Sequence, residues 1–208
     1  AKVLSVEELL YAATLTNDKA RQEAIYKKTT ELYPNDFRAY NNLGMMAYAN
    51  GDFTAAENYF KQAASKNANA PEVNTNLGYI EMVKGNVANA ETYLSKSTGA
   101  NTANEALGNL YIKQGQYDRA VQAFGDTKTN SAALAQILAK DYNKAKNTLN
   151  AVQNPDAYTD YLMAIVGART NNADLVKTSM AKVAQKDATL AAKAQNDREF
   201  AKYANEIK

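Results

Sequence analysis

A block of residues recurs along this chain about every 34 positions, and this internal repeat limits the possible folds more than any other feature. In the clearest copy, Leu43 and Gly44 are followed by Gly51 and then by Ala56 and Phe60. Two further copies keep these residue types: Leu77, Gly78, Gly85, Ala90 and Leu94, then Leu107, Gly108, Gly115, Ala120 and Phe124. Units of this kind bury their apolar faces only when neighbouring units stack. A stacked array is therefore expected.

Each copy has the pattern of a helical hairpin, with two apolar stretches at helical spacing. Leu43, Gly44 and Ala47 share one helix face and oppose Phe60 on the returning helix. Gly51 has the position of a left-handed cap at the end of the first helix. Glycine inside a helix costs about 1 kcal/mol relative to alanine, so Gly44 is expected to allow close approach of the paired helix. The 39 Ala, only 5 Phe and no Trp favour such close packing.

Weaker copies extend the array towards both ends of the chain. They carry Leu9-Leu10 with Tyr26, then Leu134-Ala135 with Leu149, and finally Tyr161-Leu162 with Met180. We predict one domain over 1–208, with units at about 3–36, 37–70, 71–100, 101–127, 128–154 and 155–186. Ser5 and Glu8 have the spacing of a capping box at a helix start. The stretch 99–102 is the most turn-like interior segment, and 187–206 is predicted to form one capping helix.

The repeat resembles the tetratricopeptide repeat (TPR), which has Leu-Gly in its first helix, Ala-x3-Phe in its second and a 34-residue period. The resemblance spans the chain, although Tyr40, Asn74 and Asn104 occupy the family's Trp position and the fourth and fifth units are shorter. It implies an all-α, right-handed superhelix: a solenoid of about five to six helical hairpins with a C-terminal capping helix. Strings such as Tyr33-Pro34-Asn35-Asp36 resemble TPR regions of bacterial cell-envelope proteins.

The resemblance also implies a binding groove, because the first helices of successive hairpins line the concave face in this family. The exposed positions of those helices are expected to hold Arg38, Asn41, Met45, Tyr48, Thr75, Tyr79, Met82, Glu105, Asn109, Lys113 and Gln136. Amides can bond to a peptide backbone, while tyrosine and methionine give adaptable apolar contact. The groove is predicted to bind a peptide or protein segment. The alternative interpretation is an ordinary solvated face, with the partner bound elsewhere.

Two groups of residues on the first helices have a narrower interpretation. Some family members hold a chaperone's C-terminal carboxylate with basic residues, and the matching positions here are Asn41, Thr75 and Glu105. Because that basic clamp is absent, binding of chaperone tails is not expected. Asn42 and Asn76, which precede the Leu-Gly pairs, are expected to bond to nearby backbone rather than to a ligand.

The residue types that carry most catalytic and metal chemistry are missing. The sequence has no Cys and no His, which excludes thiol nucleophiles, Cys/His zinc sites and His-based triads. The acidic pair Asp156 and Asp160 falls at a predicted helix start, where carboxylates favour the helix dipole. We therefore predict no enzyme activity, no cofactor and no metal site.

Charge and hydropathy narrow the range of partners. A net charge of +2 and the placement of many of the 14 Tyr at packing positions argue against nucleic acid. No run of 18 apolar residues occurs, so membrane insertion by this chain is not expected. The sequence thus predicts a non-catalytic protein–protein interaction scaffold whose partner is unknown. The alternative is an architectural spacer domain of a larger envelope protein, with no free ligand.

The cellular location is predicted from composition and from the resemblance together. The chain begins Ala1-Lys2 without Met, contains 24 Asn and lacks Cys. A start of this kind is expected for a processed chain or a piece of a larger one. With the resemblance to envelope proteins, these features favour the bacterial periplasm or cell envelope, with the cytoplasm as the alternative.

Overall fold

The computed structural model describes residues 2–97 and 101–208, apart from the side chain of residue 101. The regular elements in these two ranges are helices, and neither range contains a strand. The chain divides into two compact units, Ala1–Asn104 and Glu105–Lys208. The predicted all-α solenoid of helical hairpins is confirmed, and the assignment to one domain remains a prediction.

Three helical hairpins form the first unit. Their helices are α1 Val6–Thr14, α2 Lys19–Leu32, α3 Phe37–Ala49, α4 Phe53–Lys66, α5 Pro71–Val83 and α6 Val87–Ser95. Its core cluster contains Ala56, Phe60 and Ala63 from α4, together with Leu77 and Ile80 from α5. Partly buried residues of α3 pack against this cluster. The boundary predicted at residue 100 lies outside the described residues.

The second unit continues the hairpin pattern. Its helices are α7 Asn101–Lys113, which starts within the first unit, α8 Tyr117–Phe124, α9 Asn130–Leu138, α10 Tyr142–Asn150, α11 Ala157–Arg169, α12 Ala173–Lys186 and α13 Ala188–Ala194. A 3-10 helix, Arg198–Tyr203, follows them. The C-terminal cap is thus two short helices instead of one, because Asp197 accepts the backbone N–H of Glu199 and starts a new helix there.

Short polar side chains set the helix starts. The capping box predicted at Ser5 is confirmed: its hydroxyl accepts the backbone N–H of Glu8, whose carboxylate accepts that of Ser5. The side chains of Asp18, Asp36 and Asp52 also accept backbone N–H groups at the starts of the next three helices, without the reciprocal bond. Each cap satisfies backbone donors that the first turn of a helix leaves unpaired.

The glycines of the Leu-Gly pairs lie against the second helix of their own hairpin, as expected. A Cβ atom on Gly44 would overlap the ring of Phe60, and one on Gly108 would lie 2.5 Å from Phe124 Cε2. Phe60 and Phe124 are fully buried. A larger residue at either glycine would force the two helices apart.

The turn between the two helices of a hairpin defines the register of two weaker copies, the fifth and the sixth. Gly51, Gly85 and Gly115 have left-handed φ angles of 79°, 78° and 74°. Lys140 and Asn171 occupy the same place in the fifth and sixth hairpins, with φ angles of 65° and 55°. After each of these residues, the next backbone N–H bonds to a carbonyl five residues earlier. This shared geometry makes the five turns equivalent.

Turn equivalence corrects the register predicted for the fifth hairpin. Counted from Lys140, the Gly44 position is Ala133 and not Ala135, which shifts the predicted register by two residues. Ala133 is fully buried in one cluster with Leu149, sixteen residues later, as Gly44 is paired with Phe60. The same count from Asn171 places Ala164, not Leu162, at this position of the sixth hairpin.

Candidate interaction site

The first helices of the three hairpins in the first unit are joined by side-chain contacts. Arg38 on α3 forms an ion pair of 3.1 Å with Glu7 on α1. On α5, the side-chain amide of Asn76 donates to Asn41 Oδ1 over 2.9 Å. The rings of Tyr48 and Tyr79 lie 6.4 Å apart between centroids. These contacts bring α1, α3 and α5 together as one surface, here called the first-helix face.

Apolar side chains at equivalent repeat positions are exposed along this face. Tyr11, Met45 and Tyr79 are separated by 34 residues each. Tyr11 is 65% exposed and Met45 is 51% exposed, while Tyr79 is partly buried. Nearer the helix ends lie exposed Leu15 and Val83, with partly buried Tyr48 and Met82. We refer to these seven residues as the apolar strip.

The prediction from sequence missed three residues of the strip: Val83 on α5, and Tyr11 and Leu15 at the N-terminal end. Tyr11 lies 34 residues before Met45, and this spacing alone identifies it as a groove position. Leu15 follows it by four residues, one helical turn later, and is also exposed. Tyr11 and Leu15 were not predicted because the first copy has no Leu-Gly pair to identify its groove positions.

Arg38 is already held by two carboxylates. Its guanidinium bonds to Asp36 over 2.7 Å and 3.0 Å and to Glu7 over 3.1 Å. The hydrogen bonds from Arg38 lower the pKa of Asp36, and those to Asp36 and Glu7 raise the pKa of Arg38. A partner's carboxylate must compete with both acidic groups, so the strongest cation of the predicted groove is partly neutralised.

Two predicted groove residues of this unit are buried, so the expectation that they are exposed is wrong. Asn41 is 5% exposed because the next first helix covers it and Asn76 bonds to it. Thr75 is buried and its hydroxyl donates to the carbonyl of Pro71 over 2.9 Å. Asn76 is structural, as predicted, although it bonds to a side chain rather than to the backbone.

In the second unit, the predicted groove residues divide between one helix and the core. On α7, Asn109 and Lys113 are exposed and Glu105 is partly buried. Gln136 on α9 is only 1% exposed, which contradicts its predicted exposure. The two-residue register shift explains this burial. Gln136 lies four residues before the turn residue of its hairpin, as Ala47 and buried Tyr111 do in theirs.

The acidic pair singled out in the sequence has structural partners. Asp156 caps α11 and accepts the backbone N–H of Thr159 over 2.9 Å, which lowers the pKa of Asp156. Asp160 forms an ion pair of 2.7 Å with Lys186. Among the described residues, no group of three Cys, His, Asp or Glu could hold a metal ion. In the same residues, no helix has the length and hydropathy to cross a membrane.

Family models of the tetratricopeptide repeat match the chain at residues 25–58, 42–105 and 105–128. Together with the stacked hairpins and their left-handed turns, these matches place the protein among the helical-repeat scaffolds. The chain belongs to the tetratricopeptide repeat family. No curated protein sequence matches the chain.

Solved structures show the same fold over nearly the whole chain. PilW, a widely conserved type IV pilus biogenesis factor, is 18% identical, with a TM-score of 0.68 over 97% of this chain and 99% of that one. PilF of Pseudomonas aeruginosa is 12% identical, with a TM-score of 0.74 over 97% of each chain. YrrB, a TPR protein, is 17% identical, with a TM-score of 0.63 over 83% of this chain and 98% of that one. The family and the fold are those of protein–protein interaction scaffolds.

Proposed function

We propose that the protein is a non-catalytic scaffold that binds a peptide or protein segment along the apolar strip of its first-helix face. The observation that carries this proposal is the exposure of Tyr11 and Met45 on neighbouring first helices, at a spacing of 34 residues that continues to Tyr79. Isolated exposed apolar residues are ordinary on a protein surface. An aligned series of them marks an interaction surface.

The chemistry of the strip indicates what kind of segment it binds. Met45 and Met82 have flexible thioether side chains that fit irregular apolar partners. The edge-on ring pair of Tyr48 and Phe53, 5.1 Å between centroids, gives the strip a rigid aromatic border. Since Arg38 is occupied by two carboxylates, charge contributes little to the attraction. The fitting partner is an uncharged segment with apolar side chains, in a helical or an extended conformation.

The exposed side chains of α7 are proposed as a separate polar contact surface. Asn109 and Lys113 are exposed and Glu105 is partly exposed, so amide and charged groups of a partner could pair with them. Buried Asn41, Thr75 and Gln136 act by positioning helices and do not contact a partner directly. The neighbour YrrB is a TPR protein with an unusual peptide-binding site, which supports peptide binding on this fold.

We further propose a location in the bacterial cell envelope. The structural neighbour PilW, a type IV pilus biogenesis factor, supports it, together with the composition of the chain. A spacer domain of a larger envelope protein remains the second candidate, since a solenoid can position neighbouring domains without a ligand. Neither proposal requires catalysis or nucleic acid.

Site-specific photo-cross-linking separates the two candidates. A photoreactive phenylalanine analogue replaces Met45 in one variant and Gln62, exposed on the second helix α4, in the other. In extracts of the native cells, Met45 is expected to cross-link a defined protein that Gln62 does not. Equal cross-linking from both positions would contradict use of the first-helix face. Cross-links from neither position would favour the spacer.

A further inference from the structure

We propose that α11 carries a second binding site, for a segment with two carboxylates followed by an aromatic ring, and that residues 197–203 of this chain occupy it. We call these residues the tail segment. The proposed ligand pattern is Asp-x-Glu-Phe, as in Asp197 to Phe200. The site lies within the second unit and does not depend on the function proposed for the apolar strip.

Directional contacts hold the tail segment on α11. The hydroxyl of Tyr161 donates to the carboxylate of Asp197, and the pKa of Tyr161 is raised by burial and by this bond. Arg169 binds Glu199 in a bidentate pair of 2.8 Å and 3.3 Å. The ring of Phe200 packs edge-on against Tyr161, with 5.5 Å between centroids. Paired N–H donors facing a carboxylate recognise geometry as well as charge, so this is a selective arrangement.

Two residues beneath the tail segment, Tyr161 and Ile165, occupy the positions of predicted groove residues in the sixth hairpin. Tyr161 precedes the turn residue Asn171 by ten positions, as Asn41 precedes Gly51. Ile165 has the place of Met45 and packs on the apolar cluster that contains Phe200. The tail segment therefore covers on α11 a position that, at Asn41 of the second hairpin, faces the next first helix.

One polar group of the tail segment is left unpaired in its site, and we expect this mismatch to favour exchange with a better-matched segment, although Phe200 is buried there. The hydroxyl of Tyr203 is buried without a hydrogen-bond partner among the described residues. An unpaired buried polar group costs free energy that a better-matched segment would recover. The segment is a 3-10 helix of 6 residues, whose hydrogen-bond geometry is poorer than that of an α-helix. A partner segment must still compete with a ligand that is tethered and therefore present at high effective concentration.

A labelled peptide provides a direct test in the full-length chain. The peptide has the sequence of residues 196–203, and fluorescence anisotropy measures its binding to three chains: wild type, Glu199→Arg, and Glu199→Arg with Arg169→Glu. Reversing the charge at Glu199 repels the tail segment from Arg169 and leaves the residues of α11 unchanged. We therefore expect the peptide to bind the Glu199→Arg chain at least tenfold more tightly than wild type. In the double variant, the new arginine at position 199 can pair with the new glutamate at position 169, so the tail segment is held again. The tighter binding of the peptide should then disappear.

Two controls keep the outcome decisive. A peptide with the phenylalanine replaced by alanine should bind the Glu199→Arg chain at least tenfold more weakly. If that chain does not fold, as judged by circular dichroism, Asp197→Asn opens the site more gently, because asparagine still caps the 3-10 helix. A folded opened variant that binds the peptide no more tightly than wild type would overturn the proposal and leave the tail segment as a structural cap.

Discussion

Gly78 lies directly against Leu94: a Cβ atom on this glycine would be 2.8 Å from both Cγ and Cδ2 of the leucine. Gly85 has open space around it, but its φ of +78° is unfavourable for any residue with a side chain. Gly78→Leu should therefore lower the free energy of unfolding by about 3 kcal/mol or more through overpacking. Gly85→Ala should cost only about 1 kcal/mol. Urea unfolding of both variants measures the difference, and equal losses would contradict this helix packing.

Lys140 adopts the left-handed conformation that glycine has in three equivalent turns, with a φ of 65°. This conformation costs about 1–2 kcal/mol for a residue with a Cβ atom. We expect Lys140→Gly to raise the free energy of unfolding by about 1 kcal/mol, and Gly115→Lys, its mirror control, to lower it by a similar amount. Destabilisation by Lys140→Gly would show that this turn is not equivalent to the others.

The pairing of Arg38 with Asp36 predicts a pH dependence of stability. Hydrogen bonds from Arg38 lower the pKa of Asp36 in the folded chain, so the carboxylate stabilises the fold above its ordinary pKa. This contribution is lost as the pH falls through the lowered value. Arg38→Gln should cost about 0.5 kcal/mol at pH 7 and almost nothing near pH 2, since the pair is partly exposed. Denaturant unfolding at both pH values measures it. The exposed control Lys66→Gln should show no such difference, and a cost of Arg38→Gln that persists near pH 2 would contradict the pairing.

The helical hairpins could be predicted from sequence because their determinants are local. Leu-Gly pairs, turn glycines and Ala-x3-Phe strings each specify one position of the repeat, as the contact of Gly108 with Phe124 shows. The fifth hairpin was misaligned because its turn residue is Lys140, which gives no glycine signal. Gln136 was consequently expected on the surface although it belongs to the core.

The face of a helix could be predicted more reliably than the burial of its side chains. The repeat register correctly places Asn41 on the first-helix face. It does not specify how closely α5 approaches, and in the structure α5 covers the Asn41 amide. The C-terminal cap was expected as one helix because its alanine-rich composition suits a helix throughout. Its break at Asp197 depends on a capping bond and on contacts with Tyr161 on another helix, which local sequence does not contain.

The central claim is that the apolar strip binds a protein segment, and the most direct measurement is titration calorimetry with the segment that Met45 cross-links. Met45→Asp places a charge at the middle of the strip, on a side chain that is 51% exposed, so the melting temperature should change little. Binding should weaken at least thirtyfold, the loss of about 2 kcal/mol expected at a hot spot. Gln62→Asp, an equal change of charge on exposed α4, should leave the affinity within a factor of two. Weaker binding by Gln62→Asp with unchanged binding by Met45→Asp would contradict the account.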